Sequence, residues 1–246
     1  MIIEGAFLKI PEILINHSDP DLLYEANITN LFTNAVILEL NARNIDNPLM
    51  KIHMEKRYSK NENIRCDIYM DFSSFINDEV YKAYEIKSKN WIEAKYFGGI
   101  NRNKGSETKS ENAGSIIYDM FRLIYYNHNN EINEEKHGKY SLNMFNDNPQ
   151  KYLAYSRKNG EPRTWIKSFL SSGVHELNFD LLSEPNSIRR IFVGVNDLKM
   201  KLKIRNTIFE PIIQKENYIS FYGYLSQIID YQLIVDGKNI NKDGSN

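Results

Sequence analysis

Arg65-Cys66-Asp67-Ile68-Tyr69-Met70-Asp71-Phe72 and Asn90-Trp91-Ile92-Glu93-Ala94-Lys95-Tyr96-Phe97 are the two stretches on which the reading of this chain turns. The first alternates apolar and polar residues with the period of a strand, where successive side chains point to opposite faces. Cys66, Ile68, Met70 and Phe72 are expected on one face, and Asp67, Tyr69 and Asp71 on the other. In the second stretch Glu93 and Lys95 interrupt an aromatic and apolar strand. Isolated charges there are costly to bury without partners, so they need a chemical reason to be present.

Working outward, residues 51–58 read as a strand before the first stretch, joined to it by a polar turn. Upstream, Asp19-Pro20-Asp21 has the composition of a helix start. Leu22, Leu23, Ala26, Leu31, Ala35 and Leu38 follow at roughly helical spacing, and the helix is expected to end where Asn, Asp and Pro48 accumulate. Downstream, Gly98-Gly99 closes the second strand. A polar loop over residues 101–110 then leads into a helix over 112–126 with Ile116, Ile117, Met120, Leu123 and Ile124 on its buried face. Residues 127–138 read as an exposed connection. Residues 151–156, 189–195 and 200–204 read as strands, 165–170 as a short helix or strand, 218–235 as a helix or a strand pair, and 237–246 as a frayed tail.

The chain has 246 residues, 41% hydrophobic and 26% charged, enough to build a buried core in one domain without repeats or a low-complexity linker. One cysteine, Cys66, excludes an internal disulfide framework and a cysteine-rich zinc site. With no signal-peptide pattern and no bilayer-length apolar run, a cytoplasmic protein is expected. The 31 basic and 32 acidic residues exclude the strong basic excess of a protein that merely coats nucleic acid. His17, His53, His128, His137 and His175 have no metal-ligand spacing, and no phosphate-loop pattern occurs.

Glu-x-Lys occurs four times: Glu85 with Lys87, Glu93 with Lys95, Glu107 with Lys109, and Glu134 with Lys136. The last two lie in loop-like polar sequence and are set aside. On a strand, residues two apart share a face, so Glu-x-Lys sets a metal ligand beside an ammonium. The strand context favours Glu93/Lys95, with Glu85/Lys87 as the alternative pair. On the preceding strand Asp67 lies in the interior, whereas Asp71 nears the Ser73-Ser74 turn and suits a partner or surface role.

The runs Arg65-Cys66-Asp67-Ile68-Tyr69 and Trp91-Ile92-Glu93-Ala94-Lys95-Tyr96-Phe97 together resemble the PD-(D/E)XK nuclease superfamily, and its restriction-endonuclease branch most closely. The likeness covers roughly residues 21–126, through Asp119-Met120-Phe121-Arg122-Leu123, with Cys66 in place of the motif's Pro. It implies an α/β fold, a restriction-endonuclease-like core with a central mixed β-sheet flanked by helices. The whole of residues 1–246 would form a single nuclease domain, its catalytic core at about 20–170 and its C-terminal part a DNA-binding or dimerisation elaboration. By the same resemblance Asp67, Glu93 and Lys95 are catalytic, and Asp67, Glu93 and the Ala94 carbonyl hold Mg²⁺. A further carboxylate would come from Glu25, less readily from Glu39, or from Glu55, and cleavage would leave a 5′-phosphate.

Contacts to double-stranded DNA are expected from Arg102, Lys104 and Lys109 after the catalytic strand. Further candidates are Arg157 and Arg163, with Lys158 and Lys167 nearby, then Arg189 and Arg190, and Lys201 and Lys203 within the basic alternation Lys199 to Arg205. Lysines on an exposed strand also serve simply to solubilise an edge. A homodimer is expected because two-fold symmetry lets two sites address both strands of a palindrome, as is a companion DNA methyltransferase to protect the host. The alternatives are a repair, recombination or mobile-element nuclease of the same superfamily, or an inactive interaction domain in which Glu93 and Lys95 form a structural ion pair.

Overall fold

In a computed structural model the residues described are 2–16, 23–59, 63–84, 86–98, 108–128, 137–214 and 219–241. The two decisive stretches form β2 (Arg65–Asp71) and β3 (Lys89–Phe97), paired antiparallel with Ile68 opposite Ile92. Outside β2 lies β1 (Ile52–Arg57), also antiparallel. On the other side of β3 lies a parallel strand, β4 (His137–Phe145), reached through the long helix α5 (Lys109–His128). A parallel neighbour requires such a crossover, since a tight turn only reverses the chain.

Four further strands complete the sheet: β5 (Gly173–Asp180), β6 (Leu198–Gln214), β7 (Ile219–Val235) and β8 (Lys238–Asn241). The result is an eight-stranded mixed sheet in the order β1-β2-β3-β4-β7-β6-β5, with β8 paired to β7. The C-terminal strands join the N-terminal half of the sheet directly, because β7 hydrogen-bonds to β4.

Helices cover both faces. On one, α1 (Ile2–Phe7), α2 (Ile10–Ile15) and α3 (Glu25–Ala42) pack over Ile68, Met70, Ile92, Ala94, Tyr96 and Leu142. Helix α3 buries Ile28, Leu31, Phe32, Ala35, Val36 and Leu40, the i, i+3, i+4 pattern of a packed stripe, while Leu38 is exposed. The Asn27 side chain accepts the Tyr24 N–H at 2.8 Å at its start, and its expected beginning at Asp19-Pro20-Asp21 lies outside the described residues. On the other face α5, α6 (Thr164–Leu170) and α7 (Asn186–Arg189) cover Trp91, Phe97, Phe145 and Met200. The short helix α4 (Asp78–Tyr84) links β2 to β3. Among the described residues no helix is long and apolar enough to cross a membrane.

Several expectations from sequence are corrected. The end of the supposed exposed connection, His137-Gly138, instead opens β4, a central strand buried along its whole length. Its polar residues conceal it, yet each of several finds a partner inside: Asn143 donates to Ser141 Oγ at 2.7 Å, and Lys139 sits over the Tyr231 ring at 5.3 Å. Residues 151–156 are not a strand; they follow a 3-10 turn, Pro149–Lys151, with a single bridge from Ser156 to Pro162. Residues 189–195 begin at the end of α7 and continue as turns. The described part of residues 218–235 is the strand β7, and the supposed tail contains β8, turned back at Asp236-Gly237, both with positive φ as a tight hairpin requires. Cys66 packs with Tyr69 and Trp91, not with Ile68, Met70 and Phe72, so the alternation breaks at the start of β2. Glu55, level with Asp67 across β1, has φ 54° and marks the same irregularity.

Gly223 on β7 pairs with Phe209 on β6, and a Cβ at 223 would land inside the Phe209 ring. Gly223→Ala is expected to lower stability by about 1–3 kcal/mol through overpacking. Phe209→Leu in the same chain should recover part of that loss in a denaturation midpoint, and no recovery would refute the steric account.

Candidate active site

The described β2–β3 pairing stops at Ile68 and Ile92. One residue further along, Asp67 Oδ2 accepts the backbone N–H of Ala94 at 2.7 Å, so a side chain takes over where the strand ladder ends. This fixes Asp67 beside Glu93. Strand phase then sends Glu93 and Lys95 toward α5, together with Trp91 and Phe97, while Ile92, Ala94 and Tyr96 face α3.

Glu93 is 1% exposed. Its Oε1 accepts the hydroxyl of Tyr58, just beyond β1, and its Oε2 lies 3.2 Å from Arg122 Nη1. The same Arg122 nitrogen is 3.3 Å from Asp119 Oδ1, and Asp119 Oδ2 is 3.4 Å from Lys95 Nζ. Lys95 also reaches Glu25 Oε2, in the first turn of α3, at 3.8 Å. Elements from both sheet faces thus converge on one polar cluster. Among the described residues Glu93 Oε2 and Asp119 Oδ2 are buried and meet Arg122 and Lys95 as ion pairs rather than as well-directed hydrogen bonds.

Electrostatics follow from that burial. Desolvation, then repulsion from Asp119 and Asp67, raises the Glu93 carboxyl well above the usual carboxylate range, against the pull of Arg122 and Tyr58. Desolvation pushes Asp119 up to about 6, although Lys95 and Arg122 oppose the shift. Burial tends to lower Lys95, but Asp119, Glu25, Asp67 and Glu93 outweigh it and keep the ammonium charged.

Of the residues expected from sequence, Asp67, Glu93, Lys95 and Glu25 come together; Ala94, expected to contribute its carbonyl, touches Asp67 through its N–H. Glu55 is exposed on the edge strand. Glu39 instead ties α3 to the junction of α1 and α2 through Lys9 at 2.7 Å and also holds Arg43 at the end of α3 at 2.6 Å. Asp71 accepts from Ser73 at the β2 end, a turn role. In the alternative pair, Glu85 lies outside the described residues and Lys87 sits in the connection before β3, where its carbonyl accepts from Asn90.

The expected DNA-contact residues scatter. Arg102 and Lys104 lie outside the described residues. Lys109 opens α5 and donates to the Gln150 carbonyl at 3.0 Å. Arg163 is corrected: it is 2% exposed, pairs with Glu184 at 2.8 Å and donates to the Ala154 and Ser156 carbonyls, so its role is structural. Arg157 is half-buried against the same Glu184 at 3.1 Å. Lys199, Lys201 and Lys203 form the exposed stripe that alternation on β6 requires, with Lys201 3.7 Å from Glu176.

Sequence reasoning missed Tyr58, Asp119 and Arg122 as site residues. Asp119 carried a usable signal: it falls three residues after Ile116 and four before Leu123, inside the apolar stripe of α5. That is the same anomaly that singled out Glu93. Tyr58 carried none. No protein-family model, curated protein or solved structure matches the chain.

As oxygen donors to a cation, Asp67 and Glu93 are the best placed, and hard carboxylates suit Mg²⁺. Among the described residues no group of three or more His, Cys, Asp or Glu side chains is arranged to hold a metal alone. Two carboxylates are nevertheless enough for an ion that keeps several of its waters. Among the described residues the carboxyl groups of Glu25, Asp67, Glu93 and Asp119 gather around Lys95 and Arg122, an acid-rich setting of the kind a divalent cation suits.

A carboxyl raised by burial stabilises the fold while protonated. Asp119 therefore contributes fully below its ordinary value of 3.8, and that contribution is lost as pH rises through about 6. In EDTA, the melting temperature of Asp119→Asn relative to wild type should climb as pH goes from about 4 to about 7. A flat or falling difference would contradict dominance of the burial effect.

Proposed function

We propose that the chain is a Mg²⁺-dependent endonuclease that hydrolyses phosphodiester bonds of double-stranded DNA, of the type II restriction-enzyme kind. The observation that carries this reading is Asp67 fixed beside Glu93 on neighbouring strands, with Lys95 two residues on and its ammonium held by Asp119 and Glu25. The frame supports it: helix α3, the antiparallel strands β1 to β3 and the following helix α5 come in the order of the stretch that carries the PD-(D/E)XK resemblance.

In this reading Asp67, Glu93 and the Ala94 carbonyl hold Mg²⁺, which when bound supplies a water of lowered pKa and a counter-charge for the scissile phosphate. Lys95 has its own task. Held charged by its carboxylate neighbours, it acts as a hydrogen-bond donor that orients the attacking water and stabilises the charge growing on the phosphate. A general base would need a lowered value, and the neighbours work in the opposite direction. Burial around Trp91 and Tyr58 keeps the local dielectric low, which strengthens each of these interactions. Lys199, Lys201 and Lys203 offer phosphate contacts, and a homodimer would address both strands.

A second reading draws on the closure of Glu93 by Tyr58 and Arg122: an inactive interaction domain, in which the cluster is a structural ion network. Supercoiled and linear DNA of diverse unmethylated sequence, incubated with Mg²⁺ or EDTA, separates the two. Discrete Mg²⁺-dependent fragments are expected, whereas a smear would favour a repair or recombination nuclease. Lys95→Ala should reduce cleavage by about 10²–10³, the usual loss when one transition-state donor is removed. A wild-type protein that cuts nothing, or a folded Lys95→Ala that cuts equally well, would overturn the proposal.

A further inference from the structure

Arg122 lies one helical turn beyond Asp119 on α5 and serves two buried carboxylates with one nitrogen. Its Nη1 is 3.2 Å from Glu93 Oε2 and 3.3 Å from Asp119 Oδ1. Its Nη2 donates to the carbonyl of Arg65 at the start of β2, and the guanidinium carbon stands 5.9 Å from the Tyr58 ring centroid. Tyr58 in turn donates to Glu93 Oε1. Both oxygens of the candidate metal ligand are thus engaged by groups of the protein itself, one of them a cation.

We infer that Arg122 is a resident competitor of the metal: it fills the cationic position at Glu93 in the metal-free protein and must release that carboxylate before a divalent ion can load. The inference rests on the nuclease reading for the identity of the metal ligands. Its physical basis is elementary. A guanidinium and a divalent cation at one carboxylate oxygen repel each other, and inside a protein that repulsion is far larger than in water. Without a countercharge, Glu93 and Asp119 could stay ionised side by side only at a large desolvation cost, so the guanidinium is the group that lets either carboxylate carry charge in the metal-free protein.

The contacts of Arg122 make release local. Asp119 and the Arg65 carbonyl can keep the guanidinium near the site after Glu93 is surrendered. The Arg122 side chain retains 17% exposure, which leaves one edge reachable from solvent. An incoming phosphodiester is an anion that competes with Glu93 for this edge. A phosphodiester bound at that edge would therefore favour loading of the metal at Glu93.

The test is Mn²⁺ binding followed by electron paramagnetic resonance, with melting temperature in EDTA measured on the same samples. Arg122→Gln is expected to bind Mn²⁺ about tenfold more tightly than wild type, well within what one unit charge at ion-pair distance supplies. It should also melt lower without metal and recover more on Mn²⁺ addition. Equal or weaker Mn²⁺ binding by the folded variant, with wild type still binding, would overturn the competitor role and leave the metal site standing. Binding by neither protein would overturn both. Should Arg122→Gln not fold, Arg122→Lys, which keeps a charge but loses the guanidinium fork, is read in the same way with a smaller gain expected.

Discussion

The burial of the Glu93 carboxylate is the constraint from which the site is built. A charged group on the central strand, between Trp91 and Phe97 and 1% exposed, is tolerable only if protons, cations or dipoles neutralise it. Tyr58 and Arg122 meet that requirement directly, while Lys95 and Arg122 also hold Asp119, whose charge would otherwise repel Glu93. They come from the residue after β1, from α5 and from β3 itself. The crossover helix therefore has two functions: it allows β4 to run parallel to β3, and it supplies an acid and a base over the middle of the sheet. Breaking one partner leaves an uncompensated buried charge, which costs more than the partner's own contact is worth.

The same logic explains why charge in this sequence was a poor guide to surface function. Arg163 sits between basic neighbours in sequence and was expected to face DNA, yet it is consumed by Glu184 and two carbonyls beneath the loop that carries Arg157. Glu39 likewise ties α3 to the junction of α1 and α2 through Lys9 and also holds Arg43. Near-neutral net charge reflects many such internal pairs as much as any balance between a basic DNA face and an acidic centre. What distinguishes the Glu93 cluster from these is its composition. Glu184 meets two arginines, and Glu39 meets one lysine and one arginine. In the Glu93 cluster, Glu25, Asp67 and Asp119 crowd beside Glu93 around Lys95 and Arg122 among the described residues.

Legibility followed the strength of the local pattern. β2, β3 and α5 were readable from their local patterns, Glu93 and Lys95 because they interrupted an apolar strand, and Asp67 because strand phase put it on the polar face in the strand interior. β4 was not, because Gly138, Lys139, Ser141 and Asn143 look solvent-facing until both faces of the strand are covered. A strand buried on two sides need not alternate, so its sequence carries little period to find. The C-terminal hairpin was half legible: the lysine alternation on β6 was real, but nothing local set the length of β6 or tied β7 to β4. Asp119 was legible in principle, by the argument already applied to Glu93. Tyr58 was not, since a tyrosine next to a strand end is ordinary and only the tertiary fold brings its hydroxyl to a carboxylate.

Asp67 shows how a local irregularity becomes a site. Had the β2–β3 ladder run on, the Ala94 N–H would have bonded to backbone and Asp67 would have been one more polar residue on a strand. Pairing ends instead at Ile68, Cys66 turns to the α5 side, and Glu55 opposite takes a left-handed conformation. A strand that parts from its neighbour leaves an unpaired N–H, and a short carboxylate fills that role at 2.7 Å. The hydrogen bond orients Asp67 rigidly beside Glu93, which is what any shared ligand between two carboxylates demands. The sheet gives up part of one ladder, and in exchange two like charges are held together on elements that cannot drift apart.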